Sequence, residues 1–178
     1  MSLLMRDDLI ARLEGLDEEA SLLFDSGERL HMIIVGGGAL VLMEKIPRGT
    51  HDIDALDVSK QLYDLLGQYD INTNVQTYIN HFPLNYEDRI HPLFSGKIID
   101  FYTASLEDIV IAKLYSFRDT DHEDITNPSI IESLDWELLR ELATSEDEAK
   151  AAAMNRIRYD EFLYSFEEYE RRWRACGN

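Results

Sequence analysis

The stretch that decides the fold is "HMIIVGGGALVLMEKIPRGTHDIDALDV", residues 31–58. Residues 31–35 form an apolar run that predicts a short buried strand, and residues 39–44 predict a helix. Residues 52–58 alternate between polar and apolar side chains, which predicts a second strand. Three consecutive glycines lie at the exit of the first strand: Gly36, Gly37 and Gly38. The stretch therefore predicts a strand, a glycine turn, a helix and a second strand.

The glycine turn indicates a phosphate site but does not define one. Glycines between a strand and a helix let the backbone approach a phosphate and direct N–H groups at it. The specific nucleotide fingerprints are absent, because a dinucleotide motif read from Gly36 needs a glycine where Val41 stands, and no Gly-Lys-Ser/Thr sequence follows. A tight turn that binds no ligand is the alternative interpretation.

Two aspartates at the start of the second predicted strand indicate metal binding. Residues two apart on a strand face the same side, so Asp52 and Asp54 project together while Ile53 faces the other way. Neighbouring carboxylates repel each other unless a cation lies between them. Oxygen ligands favour Mg²⁺ or Mn²⁺ over zinc. Capping or turn formation is the alternative role for either aspartate.

A third acid lies within the predicted strand "KIIDFY", residues 97–102. A buried ionised side chain is costly unless it is paired or metal-bound, so Asp100 is a candidate third ligand. Three carboxylates converging at one edge of a sheet could hold two metal ions roughly 4 Å apart and align a phosphoryl transfer. Exposure of Asp100 to solvent on a half-buried strand is the alternative.

Periodicity over the rest of the chain predicts helices at both ends. In the N-terminal part we expect a helical segment over residues 6–29, broken at "GLDEE" with Asp17 as an N-cap. A helix at 59–68, a strand at 73–79 and a loop with a short strand at 81–96 follow. A helix that begins with a Ser105–Asp108 capping box comes next, and helices are expected from residue 119 onward. This order predicts an α+β (α/β-like) fold, in which helices flank a mixed β-sheet. The predicted domains are a core at residues 1–125 and a helical C-terminal extension at 126–178, packed on the core.

Charge and composition narrow the classes of partner. The 178 residues include 17 basic and 35 acidic side chains, giving a net charge of -18. Such a chain repels polyanions, so non-specific nucleic-acid binding is not expected, whereas a nucleotide with a metal ion or a basic partner protein is compatible. No apolar run has the length of a membrane span. The single cysteine and the absence of a secretory signal pattern predict a cytoplasmic protein.

The order of these motifs resembles the nucleotidyltransferase superfamily, the polymerase-beta-like fold, over residues 31–125. "PRGTHDID", residues 47–54, looks like the R-x-T-x-D-[IV]-D variant of uncharacterised bacterial nucleotidyltransferase-like proteins and abortive-infection-type toxins. "SLEDIVIAKLYSFRDTDHEDI", residues 105–125, is similar to the helix after the third strand in those families, which typically carries a lysine, an arginine and then acids. The corresponding residues are Lys113, Arg118, Asp121 and Asp124. Many active members carry a serine after the first glycine that contacts triphosphate, whereas here a glycine takes its place.

The resemblance implies a metal-dependent enzyme that moves a nucleoside monophosphate from a nucleoside triphosphate to an acceptor hydroxyl. It implies that Asp52, Asp54 and Asp100 bind Mg²⁺ or Mn²⁺, that Asp100 helps to deprotonate the acceptor, and that Lys113 neutralises developing charge. The residues expected to bind the nucleotide are Gly36, Gly37, Gly38, Arg48, Thr50 and Arg118. The sequence identifies neither the nucleotide nor the acceptor.

Several alternatives stay open from the sequence. Lys113 could pair with Asp100, and Arg118 could form an ordinary surface ion pair with Asp121 three residues on. The whole protein could be a non-catalytic relative, an antitoxin-like or interaction module that keeps the fold. A Rossmann-type NAD(P) binder would need a glycine at Val41 and would make no use of Asp100.

Overall fold

The computed structural model describes residues 2–25, 27–75, 81–145 and 156–177, which its contacts divide into two units. The first unit comprises the described residues of Met1–Val75 and Ile90–Ala104 and contains the β-sheet. The second comprises the described residues of Gln76–Arg89 and Ser105–Asn178 and is helical. The predicted division into a core and an extension at residue 126 stays a prediction.

The strands of the described residues form one five-stranded mixed sheet in the first unit, as predicted. The strands are β1 (Leu30–Val35), β2 (Ile53–Leu56), β3 (Ile71–Asn72), β4 (His91–Ser95) and β5 (Ile99–Thr103), in the order β3-β2-β1-β5-β4. β1 runs antiparallel to β2 and parallel to β5, β2 runs parallel to β3, and β4 runs antiparallel to β5. The predicted strand at 73–79 is wrong at its start, because β3 ends at Asn72, and residues 76–79 lie outside the described residues.

One face of this sheet is apolar and buried, because cross-strand neighbours share a face. That face carries Met32, Ile34, Ile53, Ala55, Ile71, Ile99 and Phe101. Helix α2 (Gly36–Leu42) lies against it, since a Cβ on Gly38 would meet Ile34 Cγ2 at 3.8 Å. The opposite face carries half-buried polar side chains: His31, Asp54, Asn72 and Asp100.

Helix α1 (Arg6–Leu23) is continuous, so the predicted break at "GLDEE" is wrong. Gly15 lies inside the helix and allows the Tyr69 ring to pack closely against it, because a Cβ at Gly15 would lie 2.9 Å from Tyr69 Cε1. Asp17 is no N-cap: its buried carboxylate accepts hydrogen bonds from the backbone N–H groups of Lys97 (2.6 Å), Ile98 (3.0 Å) and Ile99 (2.9 Å). Asp17 therefore ties α1 to the β4–β5 turn.

Between β2 and β3 the predicted helix at 59–68 is divided into short pieces. Two 3-10 turns, Lys60–Leu62 and Gly67–Tyr69, flank the one-turn helix α3 (Tyr63–Leu66). Asp70 follows with a left-handed φ of 55°, and its carbonyl accepts a hydrogen bond from Ile53 N at 2.9 Å. The reversal at Asp70 turns the chain directly into β3.

The second unit confirms the helical pattern predicted after residue 105, while residues 146–155 lie outside the described part. Among its described residues the α-helices are α4 (Leu106–Leu114), α5 (Asp119–Ile125), α6 (Pro128–Ser133), α7 (Trp136–Thr144) and α8 (Arg156–Trp173). Ser105 caps α4, since its Oγ accepts a hydrogen bond from Asp108 N at 3.0 Å, which is the N-cap half of the predicted capping box; the Asp108 carboxylate accepts from Ser105 Oγ at 2.7 Å. Among the described helices, none is long and apolar enough to cross a membrane.

Candidate functional site

The glycine turn begins α2 directly instead of preceding it as a separate loop. β1 ends at Val35 in extended conformation, and Gly36 follows with φ 64°, a left-handed conformation that glycine adopts without a steric penalty. The helix therefore starts at Gly36 and ends at Leu42, which corrects the predicted helix at 39–44. The first-turn N–H groups of a helix have no acceptor within the helix, so they are available to a ligand or to solvent.

Two of the predicted nucleotide-binding side chains lie beside this turn. A Cβ added to Gly37 would lie 3.6 Å from Arg48 Nη2 and 3.6 Å from Thr50 Oγ1. Arg48 Nη1 donates a hydrogen bond to Gly49 O at 2.9 Å, and Thr50 Oγ1 donates to Asp52 O at 3.2 Å. The structure therefore brings the glycines, Arg48 and Thr50 together, as the sequence predicted.

The N-terminal segment holds the turn that carries Arg48 and Thr50. Leu4 and Thr50 form an antiparallel bridge, in which Leu4 N donates to Thr50 O at 2.7 Å and Thr50 N donates to Leu4 O at 3.0 Å. Gly49 is required at this crossing, because a Cβ there would lie 2.6 Å from Leu4 O. The backbone next to the glycine turn is thus fixed by main-chain hydrogen bonds.

The two aspartates follow at the start of β2. Asp52 immediately precedes the strand and Asp54 is its second residue; both are half-buried, whereas Ile53 and Ala55 are buried. This alternation places both carboxylates on one side of the strand. Asp54 pairs with Val35, the last residue of β1 before the glycines. A Cβ on Gly38 would lie 3.6 Å from Asp52 O, so the turn and the aspartates adjoin.

We define the glycine–aspartate site by the residues that these contacts bring together: Gly36, Gly37, Gly38, Arg48, Thr50, Asp52, Asp54 and Asn72. Asn72 joins the set because its Nδ2 donates a hydrogen bond to Asp54 Oδ1 at 3.2 Å. Sequence reasoning missed Asn72, since the third strand was expected to begin one residue later. The one signal was a polar side chain directly after Ile71 in "INTN".

Asp100 does not lie with the other two aspartates, which corrects the predicted convergence of three acids. Asp54 pairs with Val35 and Asp100 with His31, four residues apart on β1, and β2 and β5 lie on opposite sides of β1. At about 3.3 Å per residue and about 4.8 Å per strand, the two positions are about 16 Å apart. Two metal ions in one site lie about 4 Å apart, and each carboxylate oxygen lies about 2.1 Å from its ion, so a carboxylate this distant cannot complete that site.

Asp100 instead forms an ion pair that the sequence did not reveal. Arg29 Nη2 donates to Asp100 Oδ1 at 2.5 Å, and Arg29 Nε donates to Asp100 Oδ2 at 3.2 Å. The hydrogen bonds from Arg29, joined by one from Ser95, hold the pKa of Asp100 below its ordinary value. An acid stabilised as a carboxylate in this way is a weak proton acceptor, so the predicted role of Asp100 as a base is not supported.

Lys113 and Arg118 lie in the second unit, in an ion cluster made with α5. Lys113 is 2% exposed, and its ammonium donates to Asp121 and, at 2.9 Å, to Asp124. Arg118 Nε donates to Asp121 Oδ2 at 2.7 Å, so the predicted pairing with the residue three positions on forms, but its acid is buried and the pair is not an ordinary surface one. A buried ammonium held by two carboxylates does not fit the predicted role in neutralising a triphosphate, and the pairing of Lys113 with Asp100 is also wrong.

The charges of this cluster are balanced by close contacts. Burial alone would raise the pKa of Asp121, but the charge and hydrogen bond of Lys113, with hydrogen bonds from Ser116 and Arg118, lower it below the ordinary value. Asp121 is therefore a carboxylate in the folded protein. The cluster has the character of a structural ion pair within the helical unit.

The donor set of the glycine–aspartate site fits a magnesium ion. Mg²⁺ usually takes one or two protein carboxylates and completes its shell with water and substrate phosphate oxygens. Asp52 and Asp54 supply two carboxylates on one side of β2, and the glycine backbone that would face the phosphates adjoins them. Among the described residues, no three His, Cys, Asp or Glu side chains come together as a metal-binding group.

The fold and the site together define the class. A mixed sheet in which a glycine turn after β1 adjoins an Asp-x-Asp pair at the start of β2 is the arrangement expected of nucleotidyltransferases. A family model described as "nucleotidyltransferase of unknown function (DUF6036)" matches residues 11–174, and the chain belongs to this family. Comparisons with curated proteins and with solved structures gave no match. The narrower resemblance to abortive-infection-type toxins stays a prediction.

Proposed function

We propose that the protein is a metal-dependent nucleotidyltransferase that uses the glycine–aspartate site to move a nucleoside monophosphate from a nucleoside triphosphate to an acceptor hydroxyl. One observation carries the proposal: the glycine turn, a guanidinium and two carboxylates adjoin at one end of β1, in a chain of the nucleotidyltransferase family. One site thus contains backbone N–H groups and a guanidinium suited to phosphate, and two carboxylates suited to a metal ion.

The roles of the residues follow from their chemistry. The backbone N–H groups of Gly36, Gly37 and Gly38 contact phosphate oxygens, because no side chain separates them from the ligand. Arg48 supplies a planar cation beside Gly37, suited to a phosphate group. Asp52 and Asp54 hold Mg²⁺ or Mn²⁺. When bound, this ion supplies charge neutralisation for the phosphates and for the leaving pyrophosphate.

The proposed step replaces a phosphoanhydride bond of the triphosphate with a phosphate ester bond to the acceptor. The acceptor oxygen forms a bond to the α-phosphorus, the bond from the α-phosphorus to the bridging oxygen breaks, and pyrophosphate leaves. The hydroxyl proton is released to solvent, since Asp100 lies at the other end of β1. The chain contributes chiefly by holding the triphosphate in place and by surrounding its charge with fixed donors.

A non-catalytic nucleotidyltransferase-fold protein, such as a toxin–antitoxin or interaction module, is the second candidate. The observation in its favour is that Asp100 and Lys113, both expected in the reaction, are engaged in ion pairs elsewhere. The net charge of -18 suits a basic protein as its partner and, in the catalytic case, favours a small molecule or a basic protein over nucleic acid as the acceptor.

Calorimetric titration with the four nucleoside triphosphates in Mg²⁺ tests the first proposal. The wild type is compared with Asp52→Asn/Asp54→Asn, and Asp64→Asn is the matched control because Asp64 is an exposed acid on α3 of the same unit. We expect binding that requires Mg²⁺, persists in the control and is lost in the double variant. Absence of binding to all four nucleotides rejects the transferase. If the protein binds a nucleoside triphosphate tightly but releases no pyrophosphate with any of the acceptor classes tested, the non-catalytic candidate is favoured.

A further inference from the structure

We infer that Asn72 is a positioning residue of the glycine–aspartate site, which holds the Asp54 carboxylate in the orientation that binds metal. The inference rests on the proposed function and assigns a role to a residue outside the Asp-x-Asp motif. Asn72 is the last residue of β3 and pairs with Asp54 across the parallel β2–β3 ladder. Its side chain therefore lies on the same face of the sheet as the Asp54 carboxylate.

The orientation of the Asn72 amide is fixed by its second contact. Asn72 Oδ1 accepts a hydrogen bond from Asn74 N at 2.9 Å, a local contact of the Asx-turn type. With the carbonyl oxygen occupied in this way, the NH₂ group faces Asp54, where Nδ2 donates to Oδ1 at 3.2 Å. The amide can rotate only by losing one of the two hydrogen bonds.

The short strand that carries Asn72 is anchored just before it. Asp70 O accepts from Ile53 N at 2.9 Å, which joins the start of β3 to the residue between the two aspartates. The Asp70 carboxylate accepts from Arg12 Nε of α1 at 3.1 Å. Asn72 is thus fixed relative to β2 by backbone and side-chain contacts, although β3 itself has two residues.

A neutral donor suits this position. The N–H that Asn72 donates to Asp54 forms a charge-assisted hydrogen bond to the carboxylate and adds no charge of its own to the site. Side chains that hydrogen-bond to a metal ligand without contacting the metal affect metal affinity strongly, and their removal typically weakens metal binding about 10–100-fold. A role confined to folding would leave metal affinity unchanged.

Mn²⁺ binding measured by electron paramagnetic resonance, with Mn²⁺ alone as the probe, tests the inference. An acidic chain also binds Mn²⁺ non-specifically, so the part of the binding that Asp52→Asn/Asp54→Asn removes defines the site. We expect Asn72→Ala to weaken that part about 10–100-fold. Asn74→Ala is the matched control, because it keeps the backbone N–H that contacts Asn72, and we expect it to bind as the wild type does.

The outcomes separate this inference from the proposed function. If the wild type binds no more Mn²⁺ than the double aspartate variant, the metal site itself is rejected, and the role of Asn72 with it. If the wild type binds Mn²⁺ at the site and Asn72→Ala binds it equally well, only the role of Asn72 is rejected. That conclusion holds even if the substitution lowers the stability of the fold. Should Asn72→Ala fail to fold, Asn72→Val replaces it, since valine suits a strand and has no donor.

Discussion

Replacing Lys113 with methionine removes the ammonium that two buried carboxylates share. Lys113 is 2% exposed, and Asp121 and Asp124 are each 3% exposed. Methionine has a similar length and fills the space, so the change isolates the loss of charge. Asp124 then loses the hydrogen bond at 2.9 Å, while Asp121 keeps Arg118.

The expected loss follows from the desolvation of the carboxylates that remain. Removing one partner of a buried ion pair typically destabilises a protein by about 3–5 kcal/mol, because the other charge stays buried and unpaired. Arg118 still compensates Asp121, so we expect a loss near the lower value, about 3 kcal/mol in the free energy of unfolding.

The loss depends on pH with a definite sign. The folded-state pKa of Asp121 lies below the ordinary value of 3.8, so its contribution to stability is present above that value and disappears as the pH falls through the lower, folded-state pKa. Without Lys113 the Asp121 carboxylate is easier to protonate in the folded state. The difference between wild type and Lys113→Met therefore becomes smaller in acid.

Urea unfolding at neutral pH and at a pH below 3.8 measures both effects. Lys97→Met is the control, because Lys97 pairs with Glu18 at the surface and such pairs contribute only about 0–1 kcal/mol. A loss under about 1 kcal/mol for Lys113→Met at neutral pH, equal to that of the control, would refute the structural role of the cluster.

Three further predictions concern the first unit. Asp17→Ala leaves three backbone N–H groups at the β4–β5 turn without their acceptor, so we expect urea unfolding to show a loss of at least about 3 kcal/mol in the free energy of unfolding. The control Glu18→Ala, at an exposed position, should cost under about 1 kcal/mol. Equal losses would contradict the role of Asp17 in joining α1 to this turn. Gly37→Ser introduces the serine that many active relatives carry, and its Cβ would make only ordinary van der Waals contacts. Calorimetry should show that Mg²⁺–nucleotide binds about 2- to 10-fold more tightly, because the hydroxyl adds a hydrogen bond to phosphate. Weaker binding would count against a phosphate at this turn. Asp100→Asn should bind Mg²⁺–nucleotide as the wild type does, and a loss equal to that of Asp54→Asn would place Asp100 back in the site.

Elements with a local signal were predictable from the sequence. β1 is a largely apolar run of strand length, β5 alternates buried and half-buried side chains as a strand does, and α4 begins where Ser105 and Asp108 mark a cap. The glycines and the Asp-x-Asp pair lie within one short stretch, so their proximity follows from chain connectivity. This covers the part of the site that the family resemblance also describes.

The position of Asp100 depended on strand direction, which periodicity does not contain. Asp54 and Asp100 each lie second in a strand. β2 runs antiparallel to β1 and β5 runs parallel to it, so the two strands begin at opposite ends of β1. Had both strands run the same way, the two acids would lie at one end of β1, which is the convergence predicted from the sequence.

Long-range contacts account for the other errors. Gly15 and Asp17 suggested a helix break, but the glycine admits the Tyr69 ring and the aspartate binds backbone groups 80 residues later in the chain. Lys113 pairs with Asp121 and Asp124 on the next helix. This pairing depends on how the chain between α4 and α5 turns, which the spacing of residues along one helix does not predict. Tertiary contacts overrode local patterns in each case.

The most direct test of the central claim is a crystal structure of the protein with Mg²⁺ and a non-hydrolysable nucleoside triphosphate analogue. We expect Mg²⁺ about 2.1 Å from carboxylate oxygens of Asp52 and Asp54, with the phosphates against the backbone of Gly36, Gly37 and Gly38. A nucleotide bound at any other place on the chain, with no metal at these two aspartates, would contradict it.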